Sequence, residues 1–288
     1  MKALFITTKT SDCVNHVNAW ESVFGPADRV TFNHVALRND WFFEDKAREL
    51  KPDVIFYIGA CKAIGNPIPD TFTRLRNIAP LVNLCSDAAD KPWHQVLETY
   101  KKHGCFDLQV SIDGARNAPV DLAVLTPTDP YMFTSDYVRN IHCGFSGTIG
   151  RHTMRDMILT PLVKTGIVEF LARKNSYTEH AYFIQHCLLT INVPMTGTGR
   201  GMHVKGRVIE SGLAGCALLE MKGSPAYDWF PTDALIPYTD HNDAGPLIRD
   251  LPQDVISHHA QILSKTVRAT YTPKLIYGSI LDRLGLKH

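Results

Sequence analysis

Short apolar runs alternate with longer stretches that are apolar on one helical face, along most of the 288 residues. The first run, residues 3–7, leads through a polar loop into a predicted helix at 13–24. Runs of this length are typical of buried strands. Their alternation with helices predicts parallel sheets covered by helices on both faces.

The pattern divides the chain into two series. In the first, the remaining predicted strands are 29–36, 54–58, 81–85, 108–112 and 122–125, and further helices are 41–50 and 93–103. Two prolines within 126–130 interrupt it. The second predicts strands at 140–145, 168–171, 188–193, 216–219 and 234–238, and helices at 151–164, 178–187, 204–213 and 252–284. We expect two Rossmann-like domains, 1–130 and 131–288, with the terminal helix packing back on the first.

Composition narrows the classes of function. A formal net charge of +1 gives no general electrostatic attraction for a polyanion, which disfavours a bulk DNA binder. The 7 cysteines include no C-x-x-C pair and no signal-peptide pattern precedes them, so we expect reduced thiols and a cytoplasmic protein. No apolar run approaches the roughly 20 residues that a membrane helix needs.

The junction after the predicted helix 204–213 carries the most informative chemistry. Lys205 stands in its opening turn, and Arg207 and Glu210 are spaced to share one helical face. A helix start with free N–H groups binds anions, and a carboxylate one turn later suits a pair of ribose hydroxyls. We predict a nucleoside diphosphate site. The alternative is a solvated face with an ion pair between Arg207 and Glu210.

A second candidate is the glycine-containing loop at 144–151. Gly147 permits close backbone approach, Thr148 can donate a hydrogen bond, and Arg151 with Arg155 would neutralise a pyrophosphate from one helical face. An ordinary strand-to-helix turn is the alternative.

The spacing K-x-R-x-x-E-x-x-x-x-G at 205–215, followed by an apolar strand, resembles the donor-binding region of GT-B glycosyltransferases, most closely the CgeB-like (spore maturation protein-like) group. The segment 145–151 resembles the opening of their C-terminal domain, and 84–93 more loosely resembles their N-terminal acidic segment. The resemblance implies two Rossmann-like domains facing a cleft. It also implies that Lys205, Arg207 and Arg151 bind the diphosphate of a nucleotide sugar and that Glu210 binds its ribose.

Three residues of the first domain are candidates for the acceptor side. Asp12 and His16 are spaced to touch at a helix start, where an Asp-oriented imidazole suits a general base. The alternative is an N-cap Asp and a surface His. Asp87 follows the predicted strand 81–85 at the same sheet edge, where it faces either the acceptor or the cleft.

These observations predict a metal-independent glycosyltransferase that uses a UDP-sugar as substrate, without a further cofactor. The 13 histidines show no metal-binding spacing. The acceptor stays open: a glycan, a protein, a small molecule or a modified DNA base, the last as in phage-type enzymes. A non-catalytic two-domain protein that binds a nucleotide or sugar is the alternative from another class.

Overall fold

A computed structural model describes residues 1–8, 12–33, 40–59, 66–172 and 176–288, without the side chains of 12–14. The chain forms two compact units. The first combines Met1–Asp129 with Pro273–His288, and the second is the continuous stretch Pro130–Thr272. The second unit is therefore inserted between two pieces of the first.

The first unit is built on a six-stranded parallel sheet in the order β2-β1-β3-β4-β5-β6. Its strands are β1 (Ala3–Thr8), β2 (Ala27–Phe32), β3 (Val54–Ile58), β4 (Leu81–Cys85), β5 (Leu108–Ser111) and β6 (Leu122–Ala123). Its helices are α1 (Asp12–Phe24), α2 (Trp41–Leu50), α3 (Pro69–Arg76), α4 (Lys91–Lys102) and α10 (Pro273–Arg283). Strands β1, β3, β4 and β5 are buried at every position, as strands with helices on both faces must be.

The second unit carries a five-stranded parallel sheet in the order β11-β10-β9-β7-β8. Its strands are β7 (Ile141–Gly147), β8 (Glu169–Ala172), β9 (Cys187–Asn192), β10 (Ala217–Met221) and β11 (Ile236–Tyr238). Its helices are α5 (Met154–Lys164), α6 (Tyr177–Gln185), α7 (Gly206–Ala214), α8 (His241–Asp250) and α9 (Gln253–Thr270).

The final helical region is two helices, which corrects the single stretch expected at 252–284. Pro273 starts the second of them, because proline lacks an N–H group and disfavours a helical residue before it. Helix α9 belongs to the second unit and α10 to the first. The Tyr277 hydroxyl donates to the His16 carbonyl oxygen over 2.9 Å, and its ring lies edge-on to Trp20 with centroids 5.2 Å apart.

Helix α7 packs closely against α9. A Cβ atom added at Gly212 would lie 2.5 Å from Val267 Cγ2, so the two helices approach where a side chain is missing. Gly212 therefore faces α9. Gly215 ends α7 with a left-handed φ of 70°, the usual helix terminator.

Candidate functional site

The order of the strands in the second unit's sheet reverses at β7. Strands β8 and β9, which follow β7 along the chain, lie on its two opposite sides. Both pair with it in parallel. The connections leave in opposite directions there, and open α/β sheets bind ligands in the crevice outside the carboxyl ends of such strands. The polar side chains at the ends of β7, β9 and β10 therefore form the candidate site.

Arg207, in the first turn of α7, connects the ends of β7 and β9. Its Nη1 donates to Asn192 Oδ1 over 3.1 Å, and its Nη2 donates to the Ser146 carbonyl oxygen. The guanidinium carbon lies 4.4 Å from the centroid of the Phe145 ring, in cation–π contact. Its Nε is buried and has no hydrogen-bond partner among the described residues. The guanidinium is therefore held in place while N–H donors remain for an anion.

The charge of Arg207 persists at neutral pH. Burial lowers the pKa of Arg207 to about 10, the nearby Glu210 carboxylate raises it, and the Arg155 guanidinium lowers it. A cation that is half withdrawn from water interacts more strongly with an anion than an exposed one.

Glu210 lies one turn further along α7 and is 8% exposed. Its Oε1 accepts from the Tyr177 hydroxyl and its Oε2 contacts His180 Nε2, each over 2.9 Å. Burial alone would raise the pKa of Glu210, but the His180 contact, the Arg207 charge and the Tyr177 hydrogen bond together lower it. A buried carboxylate with four lone-pair positions can accept further hydrogen bonds, such as those of a diol.

A chain of hydrogen bonds runs from Glu210 to the end of β7. His180 contacts Glu210 through Nε2 and the Ser146 Oγ through Nδ1, over 2.8 Å in the second case. A carboxylate only accepts, so a neutral His180 carries its proton on Nε2 and its Nδ1 accepts from the Ser146 hydroxyl. Two other elements, α6 and β7, thereby fix the orientation of the Glu210 carboxylate.

The alternative reading of Arg207 and Glu210 as a solvated ion pair is wrong. Each of the two side chains has its hydrogen-bond partners on other elements, and residues 208–214 of α7 are buried. The helix packs against α6, α9, β9 and β10 instead of facing water.

The start of α7 combines basic residues with the absence of a side-chain cap. Lys205 is its N-cap residue, is half-buried, and makes no side-chain cap. The first turn holds no acidic residue. The uncapped N–H groups and the positive end of the helix dipole therefore point out of the helix start beside Lys205 and Arg207.

The start of α5 is different and corrects a prediction. The helix begins at Met154 and not at Arg151. The Thr153 hydroxyl accepts from the Asp156 amide over 3.2 Å, and the Asp156 carboxylate accepts from the His152 amide over 2.9 Å. Hydrogen bonds from the Thr160 hydroxyl and the His152 amide lower the pKa of Asp156. This helix start already holds a carboxylate of its own chain, so it is a poorer anion site.

Arg151 and Arg155 do not share a helical face, contrary to the expectation. Arg151 is exposed in the turn before α5. Arg155 lies inside the helix and donates weakly to the Val193 and Met195 carbonyl oxygens, each over 3.4 Å. The predicted pairing of these two cations on one helix is wrong.

Gly147 and Thr148, predicted to act together in one loop, lie in different surroundings. Gly147 ends β7 with a φ of 146°, and a Cβ atom there would lie 3.3 Å from Arg207 Nη2. Thr148 is exposed. Gly147 therefore belongs to the surroundings of Arg207, whereas the Thr148 side chain lies at the surface of the unit.

Sequence reasoning missed several residues of this site. Asn192 and Glu220 stand near the ends of β9 and β10, and Tyr177 and His180 come from α6. A polar residue at the carboxyl end of an otherwise apolar strand is a usable signal for the first pair. Tyr177 and His180 carry no comparable signal, because only the packing of α6 on α7 brings them to Glu210.

The residues predicted for the acceptor side lie in the first unit. Asp12 begins α1, but its side chain is outside the described part of the chain. His16 is 4% exposed, which excludes a surface histidine. Asp87 is half-buried in the turn after β4. Their role stays a prediction.

In the described ranges, no group of three or more His, Cys, Asp or Glu side chains is placed to hold a metal ion. The same ranges contain no helix with the length and hydropathy for a membrane span.

No protein-family model matches the chain, and no curated protein matches its sequence significantly. Solved structures do match. HepE from Anabaena in complex with UDP and glucose is 12% identical over 99% of both chains, with a TM-score of 0.65. The trehalose-6-phosphate synthase OtsA is 8% identical over 100% of both chains, with a TM-score of 0.66.

An alpha-glucosyltransferase, in complex with UDP-glucose and DNA containing an abasic site, is 11% identical over 98% of both chains with a TM-score of 0.59. These likenesses show the fold. The chain has the two parallel-sheet α/β domains of GT-B glycosyltransferases, which confirms the predicted fold class.

Proposed function

We propose that the chain is a glycosyltransferase that moves a sugar from a UDP-sugar to an acceptor hydroxyl. One observation carries the proposal. Arg207 joins the ends of β7 and β9, where the strand order of the second unit's sheet reverses, and the buried Glu210 lies one helical turn away. Proteins of the same fold supply support, since HepE binds UDP-glucose and OtsA is a trehalose-6-phosphate synthase.

In this proposal Lys205, Arg207 and the open N–H groups of α7 hold the diphosphate. When the bond to the sugar breaks, negative charge grows on the departing diphosphate, and cations already fixed in place stabilise it. Glu210 accepts hydrogen bonds from the ribose hydroxyls, oriented by Tyr177 and His180.

The finer assignments rest on sequence alone. The K-x-R-x-x-E spacing supports membership of the CgeB-like group, and Arg151 would add charge near the diphosphate. His16, with Asp12 and Asp87, would act on the acceptor. The five described free cysteines, all buried, agree with the cytoplasmic location inferred from composition.

UDP binding measured by titration calorimetry tests the donor site. We expect wild-type protein to bind UDP, and R207Q and E210Q each to lose about 1–3 kcal/mol of binding free energy, the usual loss when a buried partner is removed. The matched controls R249Q and E169Q change exposed residues of the same unit and should bind as wild type does. Equal binding by all five proteins would contradict the proposal.

Transfer itself is tested by release of UDP from UDP-glucose and other UDP-sugars in the presence of an acceptor pool. Release that depends on both substrates supports a transferase. Tight donor binding without any release with glycans, proteins or small molecules would instead favour the non-catalytic binding protein.

Transfer to a modified DNA base is a second candidate, supported by the likeness to the alpha-glucosyltransferase solved with DNA. Duplex DNA with bases that carry a hydroxyl group, added to the acceptor pool, tests it directly. With a formal net charge of +1, any DNA contact has to come from a local surface and not from the overall charge.

A further inference from the structure

A buried acid lies behind Arg207. Glu220, near the end of β10, is 0% exposed, and its Oε2 accepts from Asn192 Nδ2 over 2.8 Å. The other end of the Asn192 carboxamide, Oδ1, accepts from Arg207 Nη1 over 3.1 Å. Glu220 therefore reaches Arg207 through one amide group, and its contact decides which end of that amide faces the guanidinium.

Other elements enclose this carboxyl group. The Tyr227 hydroxyl donates to the Glu220 backbone oxygen over 3.1 Å, and the Tyr238 hydroxyl donates to the Asn192 backbone oxygen over 2.6 Å. Burial raises the pKa of both tyrosines, to about 12 for Tyr227, so both stay neutral in the physiological range. Arg207 is the charged side chain that acts on Glu220 among the described residues.

The charge of Glu220 therefore matters to Arg207. Burial raises the pKa of Glu220 to about 7, although the nearby Ser224 hydroxyl, the Asn192 hydrogen bond and the Arg207 charge favour ionisation. Its Oε1 has no hydrogen-bond partner in the described part of the chain. A buried oxygen without a partner is better tolerated on a neutral carboxyl group than on a carboxylate.

We propose that Glu220 is a positioning residue that acts in its uncharged form: through Asn192 it orients Arg207, and it leaves the guanidinium charge available for a diphosphate. The inference rests on the proposed function, because it assigns a purpose to Arg207 as a diphosphate ligand. Ionisation of Glu220 would place a negative charge close behind Arg207 and weaken the attraction for a second anion in a site of low dielectric constant.

The experiment measures UDP affinity by calorimetry between about pH 6 and pH 8.5 for wild type, E220Q and E220L. Glutamine keeps an oxygen that can accept from Asn192 and never ionises. E220Q should match wild type at the acid end and bind UDP several-fold more tightly than wild type at the alkaline end. UDP itself ionises in this pH range, and its ionisation affects both affinities equally, so it cancels in their ratio. E220L has no acceptor for Asn192, so it should bind several-fold more weakly than E220Q at every pH.

A measurement without ligand checks the charge directly. At about pH 6 the infrared spectrum of the full chain should contain a protonated carboxyl stretch that disappears towards pH 8.5 and is absent from E220Q. A constant affinity ratio across the pH range, equal binding by E220L and E220Q, or no such infrared band would overturn the inference.

The outcomes separate the two proposals. If UDP binds and R207Q weakens it while the ratio of wild type to E220Q stays flat, the role of Glu220 is wrong and the donor site stands. If wild-type protein binds no UDP at any pH, the proposed function fails and the role of Glu220 fails with it.

Discussion

Gly147 has no side chain, and this leaves room for the Arg207 guanidinium. Its φ of 146° is a conformation that other residues rarely adopt. A Cβ atom there would also lie 3.3 Å from Arg207 Nη2, which is closer than most Cβ atoms approach another atom in proteins. The residue at the end of β7 is therefore constrained both by backbone conformation and by the position of the guanidinium.

We predict that Gly147→Ala weakens UDP binding by about tenfold, which corresponds to roughly 1.4 kcal/mol. Calorimetry measures it. Gly223→Ala is the matched control, because Gly223 also has a positive φ, of 81°, but nothing lies within 4 Å of its added Cβ atom. Both variants should lose some stability, whereas UDP affinity should fall in the first alone; an equal fall in both would contradict the explanation.

The raised pKa of Glu220 predicts a pH-dependent stability. The unfolded chain releases this proton near pH 4.5, whereas the folded chain holds it until about pH 7. Between these values the folded state binds more protons, so ionisation lowers the free energy of unfolding as pH rises. E220Q has no carboxyl group at this position and does not lose free energy of unfolding in this way. Between pH 4 and pH 8 its free energy of unfolding should rise by on the order of 3 kcal/mol relative to that of wild type.

Urea unfolding at both ends of that range measures the difference. The control E169Q changes an exposed glutamate of β8 and should follow wild type across the range. A parallel pH dependence of wild type and E220Q would show that folding does not raise the pKa of Glu220.

At the scale of the elements, the packing of α7 on α9 depends on Gly212. The Cβ atom of an alanine there would lie 2.5 Å from Val267 Cγ2 and 3.1 Å from Val267 Cβ. The second of these atoms sits next to the backbone of α9 and cannot turn away. Helix α7, which carries Arg207 and Glu210, would have to shift.

We expect Gly212→Ala to destabilise the protein by about 1–3 kcal/mol, the usual penalty for overpacking. Gly245→Ala in α8 is the control, since its Cβ atom would make ordinary contacts, the closest at 3.5 Å. That substitution should be neutral or stabilising by up to about 1 kcal/mol, because alanine favours helix. Thermal unfolding of both variants checks the contrast; similar melting temperatures would refute it.

The strands were predictable and some helix limits were not, for physical reasons. Residues 54–58 and 81–85 are wholly buried and, apart from Asn83, mostly apolar, and they form β3 and β4 at the predicted limits. Helix α3 was not predicted, because its eight residues are mostly polar and too few to show a period. The start of α5 was misplaced because Thr153 and Asp156 cap it inside the expected helix.

The candidate site was predictable as far as it lies on one element. The spacing of Arg207 and Glu210 indicates a shared helix, and α7 contains both. Their partners Tyr177 and His180 come from a separate helix, α6, so no local pattern indicates them; the place of Asn192 at the end of an apolar strand is a weaker signal. Geometry between elements is set by packing, which a single sequence does not display.

At the scale of the whole molecule, the first unit needs the end of the chain. The ring of Tyr277 in α10 packs against Trp20 and Phe56, with centroids 5.2 and 5.4 Å away. Tyr277 is 0% exposed. The helix therefore completes the aromatic core that β1, β3 and α1 form.

We predict that Tyr277→Ala destabilises the first unit by about 3–5 kcal/mol, as other losses of large buried aromatics do. Tyr277→Phe, which removes the hydrogen bond to the His16 carbonyl, should lose only about 1 kcal/mol. Hydrogen exchange measures the two units separately. Protection should fall in β1 and β3 and stay unchanged in β9 and β10; equal loss in all four strands would contradict the assignment.

The discontinuous first unit has a consequence for synthesis on the ribosome. Residues 1–129 emerge early, yet their core stays open until Pro273–His288 have left the exit tunnel. The continuous second unit needs no distant segment of this kind, so the half that is translated first waits for the segment that is translated after the whole second unit. A nonsense codon near position 272 would accordingly release a polypeptide with an intact second unit and an exposed aromatic surface on the first, a substrate for chaperones and proteases.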